Sequence, residues 1–168
     1  GTIEVKSKQG EGSSFTVTVP CRKALKEDML EKKNTNLHNK KCLNGVRILL
    51  VEDNEINTEI ARELLTEEGC IVETANDGVA CIDMVEKAEA DYYKMILMDI
   101  QMPVMNGYDA TLAIRKMKDM KKAGIPIIAM TANAFAEDIQ KVLSVGMNDH
   151  VAKPVDMNIL VPTMMKYL

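Results

Sequence analysis

Four short apolar runs in this chain end in residues that can do chemistry. Residues 46–51 lead into Glu52-Asp53, 95–98 into Asp99, 125–130 into Thr131 and 150–152 into Lys153. A lone Asp after a strand is an ordinary cap, and a lone Lys an ordinary surface residue. Four run ends of matching type need another explanation. If the runs are parallel strands of one open α/β sheet, their carboxyl ends lie along one edge, where such sheets place ligands. Three carboxylates, a hydroxyl and an ammonium then converge from across the chain.

Clustered carboxylates repel unless a cation joins them. Hard oxygen donors favour Mg2+, which takes only one or two carboxylates, keeps waters and completes its shell with a substrate phosphate. With charge neutralised by that ion and by Lys153, one aspartate can attack phosphorus and form an acyl phosphate. Asp99 closes the most apolar and most central run, so it is the candidate nucleophile. Thr131 is placed to hydrogen-bond a phosphoryl oxygen and Lys153 to pair with another. Phosphoryl transfer of this kind rests mainly on positioning and charge stabilisation.

The surrounding pattern supplies the elements that such a site requires. Residues 95–99 are bounded by the turn formers Met102-Pro103 and Asn106-Gly107, as expected of a strand buried on both faces. Strands are also predicted over 46–51, 70–74, 125–130 and 150–152. Between them, helices are predicted over 54–68, from Asp77-Gly78 through Val85, over 108–117 and over 137–144, with a last one after Asp156. In the first helix Ile56, Ile60, Leu64 and Leu65 lie close to one face, and Gly69 supplies the stop. Pro162 lies deep in the last helix, where a kink or restart is expected. Five strands alternating with five helices imply right-handed parallel crossovers and an α/β doubly wound sheet. Counting only its own strands, the order expected of such a sheet with loops this short is 2-1-3-4-5, with helices on both faces.

Composition sets the outer limits. With 13 Met, 2 Phe and no Trp, the core must be aliphatic and Met-rich. Residues 1–44 carry nine Lys/Arg against five Asp/Glu, and the remainder carries 12 against 20. The larger part is too acidic to favour nucleic acid. No apolar run reaches the ~18 residues of a membrane span and no signal-peptide pattern is present, so a cytoplasmic fragment without membrane contact is expected. Cys21, Cys42, Cys70 and Cys81 have neither Cys-x-x-Cys nor metal spacing and read as reduced thiols.

Residues 1–20 alternate apolar and polar on both sides of a Gly/Ser turn, with Ile3 and Val5 before it and Phe15, Val17 and Val19 after it, predicting a β-hairpin. A lone hairpin is marginal in water, so it needs a larger sheet. The segment Gly10-Glu11-Gly12-Ser13-Ser14-Phe15 resembles the closing strands of a histidine-kinase ATP-binding domain. That resemblance implies a C-terminal remnant without its magnesium- and adenine-binding residues, and hence no ATP site. Residues 21–44 read as a Lys-rich linker with a short helix near 22–32.

Residues 45–168 resemble the receiver domain of two-component signalling. The resemblance lies in Val51-Glu52-Asp53-Asn54, in Met98-Asp99-Ile100-Gln101-Met102-Pro103 with Asn106-Gly107, in Met130-Thr131-Ala132 and in Lys153-Pro154. It implies Asp99 as phosphoacceptor and a Mg2+ ion held by Asp53, Asp99 and the backbone carbonyl of Gln101, with Glu52 acting mainly through water. It further implies that Thr131 and Lys153 contact the phosphoryl group, that Ala132 leaves room for it and that Lys153-Pro154 is cis. Thr131 and His150 take the family's switch positions, the second of which is often aromatic.

The kinase-like tail joined to such a domain implies the C-terminal receiver of a hybrid sensor histidine kinase. That receiver takes phosphoryl from the kinase core and relays it to a histidine phosphotransfer partner. Two other readings differ in class. A Mg2+-dependent aspartyl phosphatase or phosphotransferase typically carries a second Asp two residues after the nucleophile, where this chain has Gln101. A non-phosphorylated interaction module would have no use for the acidic cluster.

Overall fold

The computed structural model describes residues 1–10, 12–20, 43–132 and 136–168. It forms two units, residues 1–37 and 38–168, taken separately below. Residues 21–42 of the linker, with the helix predicted near 22–32, Cys21, His38 and Cys42, lie outside the described residues.

In the first unit β1 (Thr2–Lys8) pairs antiparallel with β2 (Gly12–Thr18), setting Val5 opposite Phe15 and Ile3 opposite Val17. This is the hairpin that the alternation predicts.

The second unit begins with β3 (Arg47–Val51), α1 (Glu55–Glu67), β4 (Ile71–Ala75), α2 (Gly78–Lys87) and β5 (Met95–Asp99). It continues with α3 (Gly107–Arg115), α4 (Met120–Ala123), β6 (Ile127–Thr131), α5 (Ala136–Ser144), β7 (Asp149–Ala152) and α6 (Met157–Met165). The five strands are parallel in the order β4-β3-β5-β6-β7, which is 2-1-3-4-5 within the sheet. The fold is the expected flavodoxin-like α/β arrangement.

Strand periodicity explains why the central runs are apolar throughout. Ile48, Leu50, Met95, Leu97, Ile128 and Met130 belong to a core layer that includes Ala61, Leu65 and Leu160 of α1 and α6. Their neighbours Leu49, Val51, Ile96, Met98, Ile127 and Ala129 belong to the opposite layer, with Val85, Ile114 and Val142 of α2, α3 and α5. Successive side chains point to opposite faces, so a strand covered on both sides needs apolar residues at every position.

Three local details differ from the sequence reading or sharpen it. In α1 the buried positions are Ala61 and Leu65, whereas Ile56 and Ile60 are 71% and 54% exposed. Small Ala61 lets the helix approach the sheet, and the two isoleucines are left largely open to solvent. Past the end of α3 at Arg115 a further short helix, α4, forms over a stretch given no element from sequence, capped by the Asp119 side chain accepting from the Lys121 N–H. Finally, of the two alternatives at Pro162 the restart does not occur: α6 runs unbroken from Met157 to Met165 with Pro162 inside it.

Candidate functional site

The carboxyl ends of β3, β5, β6 and β7 meet along one edge. Parallel pairing sets Val51 beside Met98, Asp99 beside Met130 and Thr131 beside Ala152. Lys153 follows at once, its N–H bonded to the Thr131 carbonyl at 2.8 Å. Lys153-Pro154 is cis, as the resemblance implies. The loop after Asp99 folds back tightly, with the Gly107 N–H on the Ile100 carbonyl at 3.1 Å. A Cβ on Gly107 would lie 2.3 Å from the Asp99 carbonyl oxygen, so only glycine lets α3 start here.

Carboxylate oxygens of Glu52, Asp53 and Asp99 lie within 4.8 Å of one another, the one such acidic or metal-ligating group among the described residues. Glu52 and Asp99 are 4% and 5% exposed, while Asp53 opens to solvent. The Lys153 ammonium stands between the two buried acids, 2.5 Å from Glu52 Oε2 and 2.7 Å from Asp99 Oδ2. Glu52 Oε1 accepts from Asn57 Nδ2 at 2.9 Å, and Asp99 Oδ1 from the Gln101 N–H at 3.1 Å. These groups line a cleft of about 250 Å³, together with buried Thr131 and with Ala132. A second cavity of about 350 Å³ shares Glu52, Asn57 and Lys153 with it and extends past Ile60, Met130 and Val155.

The electrostatics follow from this packing. Burial pushes the Asp99 carboxyl above its ordinary value; Lys153 and the Gln101 N–H pull the other way, and Glu52 adds to the rise. For Lys153, burial alone would lower the pKa, but hydrogen bonds and charge from Asp99 and Glu52 outweigh it and hold the ammonium above its ordinary value. Both carboxylates are thus desolvated and share one cation.

Glu52, Asp53, Asp99, Thr131 and Lys153 lie where strand counting puts them. Glu52, Asp53, Asp99, Gln101, Thr131 and Lys153 line one cleft. His150 does not line it; it pairs in register with Ala129 on β6, its backbone N–H on Asp149 Oδ1 at 2.8 Å. Two residues were not singled out from sequence. Asn54 caps α1 by accepting from the Ile56 and Asn57 N–H groups at 3.0 and 3.1 Å, and Asn57 reaches back to Glu52. An Asn at the N-cap was a visible signal for the first, but nothing local marked the second.

The profile of the family described as response regulator receiver domain matches residues 48–164, most of the chain. The chain belongs to that family. It is 42% identical over 132 residues to hybrid signal transduction histidine kinase B of Dictyostelium discoideum, covering 73% of this chain and 7% of that protein. The aerobic respiration control sensor protein ArcB of Escherichia coli is 33% identical over 169 residues, 99% of this chain and 20% of its own length. The chain thus spans no more than about a fifth of the length of these curated relatives. Among solved structures, the receiver domain of a sensor histidine kinase from Pseudomonas aeruginosa superposes with a TM-score of 0.66 at 37% identity, covering 73% of this chain and 97% of that one. Its active-site cleft holds a coordinated magnesium ion. A second match, at TM-score 0.67 and 27% identity over 74% of this chain and 90% of the other, is a Saccharomyces cerevisiae receiver domain co-crystallised with a histidine phosphotransfer signaling protein. No helix among the described residues is long and apolar enough to cross a membrane.

Proposed function

We propose that this receiver accepts a phosphoryl group on Asp99 from a phosphohistidine of a histidine kinase core and passes it to a histidine phosphotransfer partner. The observation that carries this reading is the shared cleft, in which a buried aspartate faces an ammonium and two further carboxylates. In the forward step an Asp99 carboxylate oxygen attacks phosphorus, the phosphorus–nitrogen bond breaks and the imidazole nitrogen leaves with that electron pair. Lys153 offsets the charge gathering on the phosphoryl oxygens, and the Thr131 hydroxyl hydrogen-bonds one of them. Onward relay is the same exchange in reverse, with the partner's imidazole as nucleophile. Ile56 and Ile60, exposed beside the cleft, offer that partner apolar contact.

The donor set fits magnesium, being made of hard carboxylate oxygens gathered within 4.8 Å. Asp53, Asp99 and the Gln101 carbonyl would hold the ion, with Glu52 reaching it through water. Bound there, it would neutralise carboxylate charge and polarise the phosphoryl oxygens. The magnesium in the Pseudomonas aeruginosa relative supports this assignment.

Hybrid-kinase origin is supported by curated relatives of that kind and by the ArcB match, which extends across the hairpin residues. In this reading residues 1–20 close a kinase ATP-binding domain, 21–44 link it to the receiver at 45–168, and the fragment works on the cytoplasmic side. Thr131 and His150 form the switch, the first drawn toward the phosphoryl group and the second turning inward behind it. The test is relay itself. A phosphorylated kinase core mixed with this chain and a histidine phosphotransfer protein should label both in turn, and Asp99→Asn should label neither. Label reaching the phosphotransfer protein through Asp99→Asn would refute the reading.

A further inference from the structure

The cleft holds one carboxylate more than magnesium uses, and Glu52 is the one tied by two side chains. Three acids converge, whereas Mg2+ takes one or two and retains waters. Asp53 is open to solvent and Asp99 carries one oxygen on the Gln101 N–H and the other on Lys153. Glu52 is fastened at both ends by side chains: Asn57 Nδ2 holds Oε1 at 2.9 Å and Lys153 Nζ holds Oε2 at 2.5 Å. The ammonium is shared with Asp99, so within this set Asn57 is the one side chain that bonds Glu52 and not Asp99.

Asn57 is well placed for this task. It lies in the first turn of α1, whose start is fixed by the Asn54 cap. Its side chain borders both the acidic cleft and the neighbouring apolar cavity. An amide can donate to a carboxylate at neutral or acidic pH without changing charge, so the restraint is a constant one.

We propose that Asn57 is a positioning residue that sets cation selectivity: its amide holds Glu52 out of direct coordination and keeps the site small enough for Mg2+. Without that amide, Glu52 Oε1 is free to swing in as a third carboxylate. The site then suits the larger, more flexible shell of Ca2+, which takes six to eight oxygens. The water that Glu52 would otherwise orient for Mg2+ loses its support as well. This rests on the reading of the acidic cluster as a cation site.

The test compares Mg2+ and Ca2+ dissociation constants by calorimetry on the full chain for wild type, Asn57→Leu, which keeps the shape, and Asn57→Ala. Thermal midpoints without divalent ions report folding. The expected result is a shift of about tenfold in the Ca2+-to-Mg2+ preference toward Ca2+ in both variants, with Asn57→Gln moving it less. Equal weakening of both ions, or no change in their ratio, would overturn the proposal while leaving the cation site standing. Failure of the wild-type chain to bind Mg2+ would overturn the cation reading itself and this proposal with it.

Discussion

Lys153 and Asp99 are 54 residues apart in sequence, yet Lys153 Nζ lies 2.7 Å from Asp99 Oδ2. The same ammonium reaches Glu52, so one cation serves two acids that are almost wholly buried. This three-residue contact ties the ends of β3, β5 and β7 together and sets the charge balance of the cleft.

Removing the cation should therefore cost stability. Lys153→Met leaves two buried carboxylates facing each other, and truncating one partner of a buried pair costs about 3–5 kcal/mol. The Lys153 side chain is 21% exposed, so about 2 kcal/mol is expected here. Urea titration in the presence of a chelator measures it. Adding Asp99→Asn to Lys153→Met should recover much of the loss, because the two sites share one interaction.

Asp99→Asn alone should stabilise the metal-free protein. The raised Asp99 pKa means that the folded state binds its proton more tightly than the unfolded chain does, so ionisation at neutral pH works against folding. A neutral side chain of the same shape removes that penalty, and the thermal midpoint should rise by a few degrees, on the order of 1 kcal/mol. A fall in midpoint without divalent ions would contradict the electrostatic picture of the cleft.

The opposite sign holds at the far side of the sheet. Burial would raise the Glu73 carboxyl, but hydrogen bonds from Tyr93, Tyr92 and Arg47 outweigh it and hold the group below its ordinary value of 4.5. Those contacts are 2.6, 2.8 and 2.8 Å. A depressed carboxylate gives stability that is complete above its unfolded pKa and disappears as pH falls through the lower folded value. Glu73→Gln should thus be less stable than wild type at pH 7, with the gap closing as both are titrated below pH 4.5.

The loop after Asp99 stores strain. Val104 has φ +65° and is 87% exposed, a left-handed conformation that a β-branched residue resists. Val104→Asn should relieve about 1 kcal/mol and raise the thermal midpoint by roughly 3 °C.

The fold was legible in sequence where every position carries the same demand. Strand β5 falls at residues 95–99 as expected, because burial on both faces leaves an unbroken apolar run ending in a single acid. The site followed from counting strand ends, and Glu52, Asp53, Asp99, Thr131 and Lys153 needed no side-chain detail. Helix α1 was harder. Periodicity sets Ile56, Ile60, Leu64 and Leu65 close to one face, but not which edge of that face, the one through Ile56 and Ile60 or the one through Ala61 and Leu65, meets the sheet. Arg115 was also invisible: its guanidinium bonds the carbonyls of Gly146, Ala123 and Ile125 and the side chain of Asn148 at 2.6–3.0 Å, contacts that only the tertiary path creates. Asn57 was missed for a different reason: its partner Glu52 is near in sequence, but across the turn from β3 into α1, which helix periodicity does not span.

Phosphorylation of the isolated chain tests the central claim most directly. Incubation with acetyl phosphate and Mg2+, followed by mass analysis of the intact protein and its peptides, should show one phosphoryl group, labile to hydroxylamine and mapping to Asp99. Chelation should abolish it, as should Asp99→Asn. A stable adduct at another residue, or no adduct on folded protein with Mg2+ present, would contradict the account.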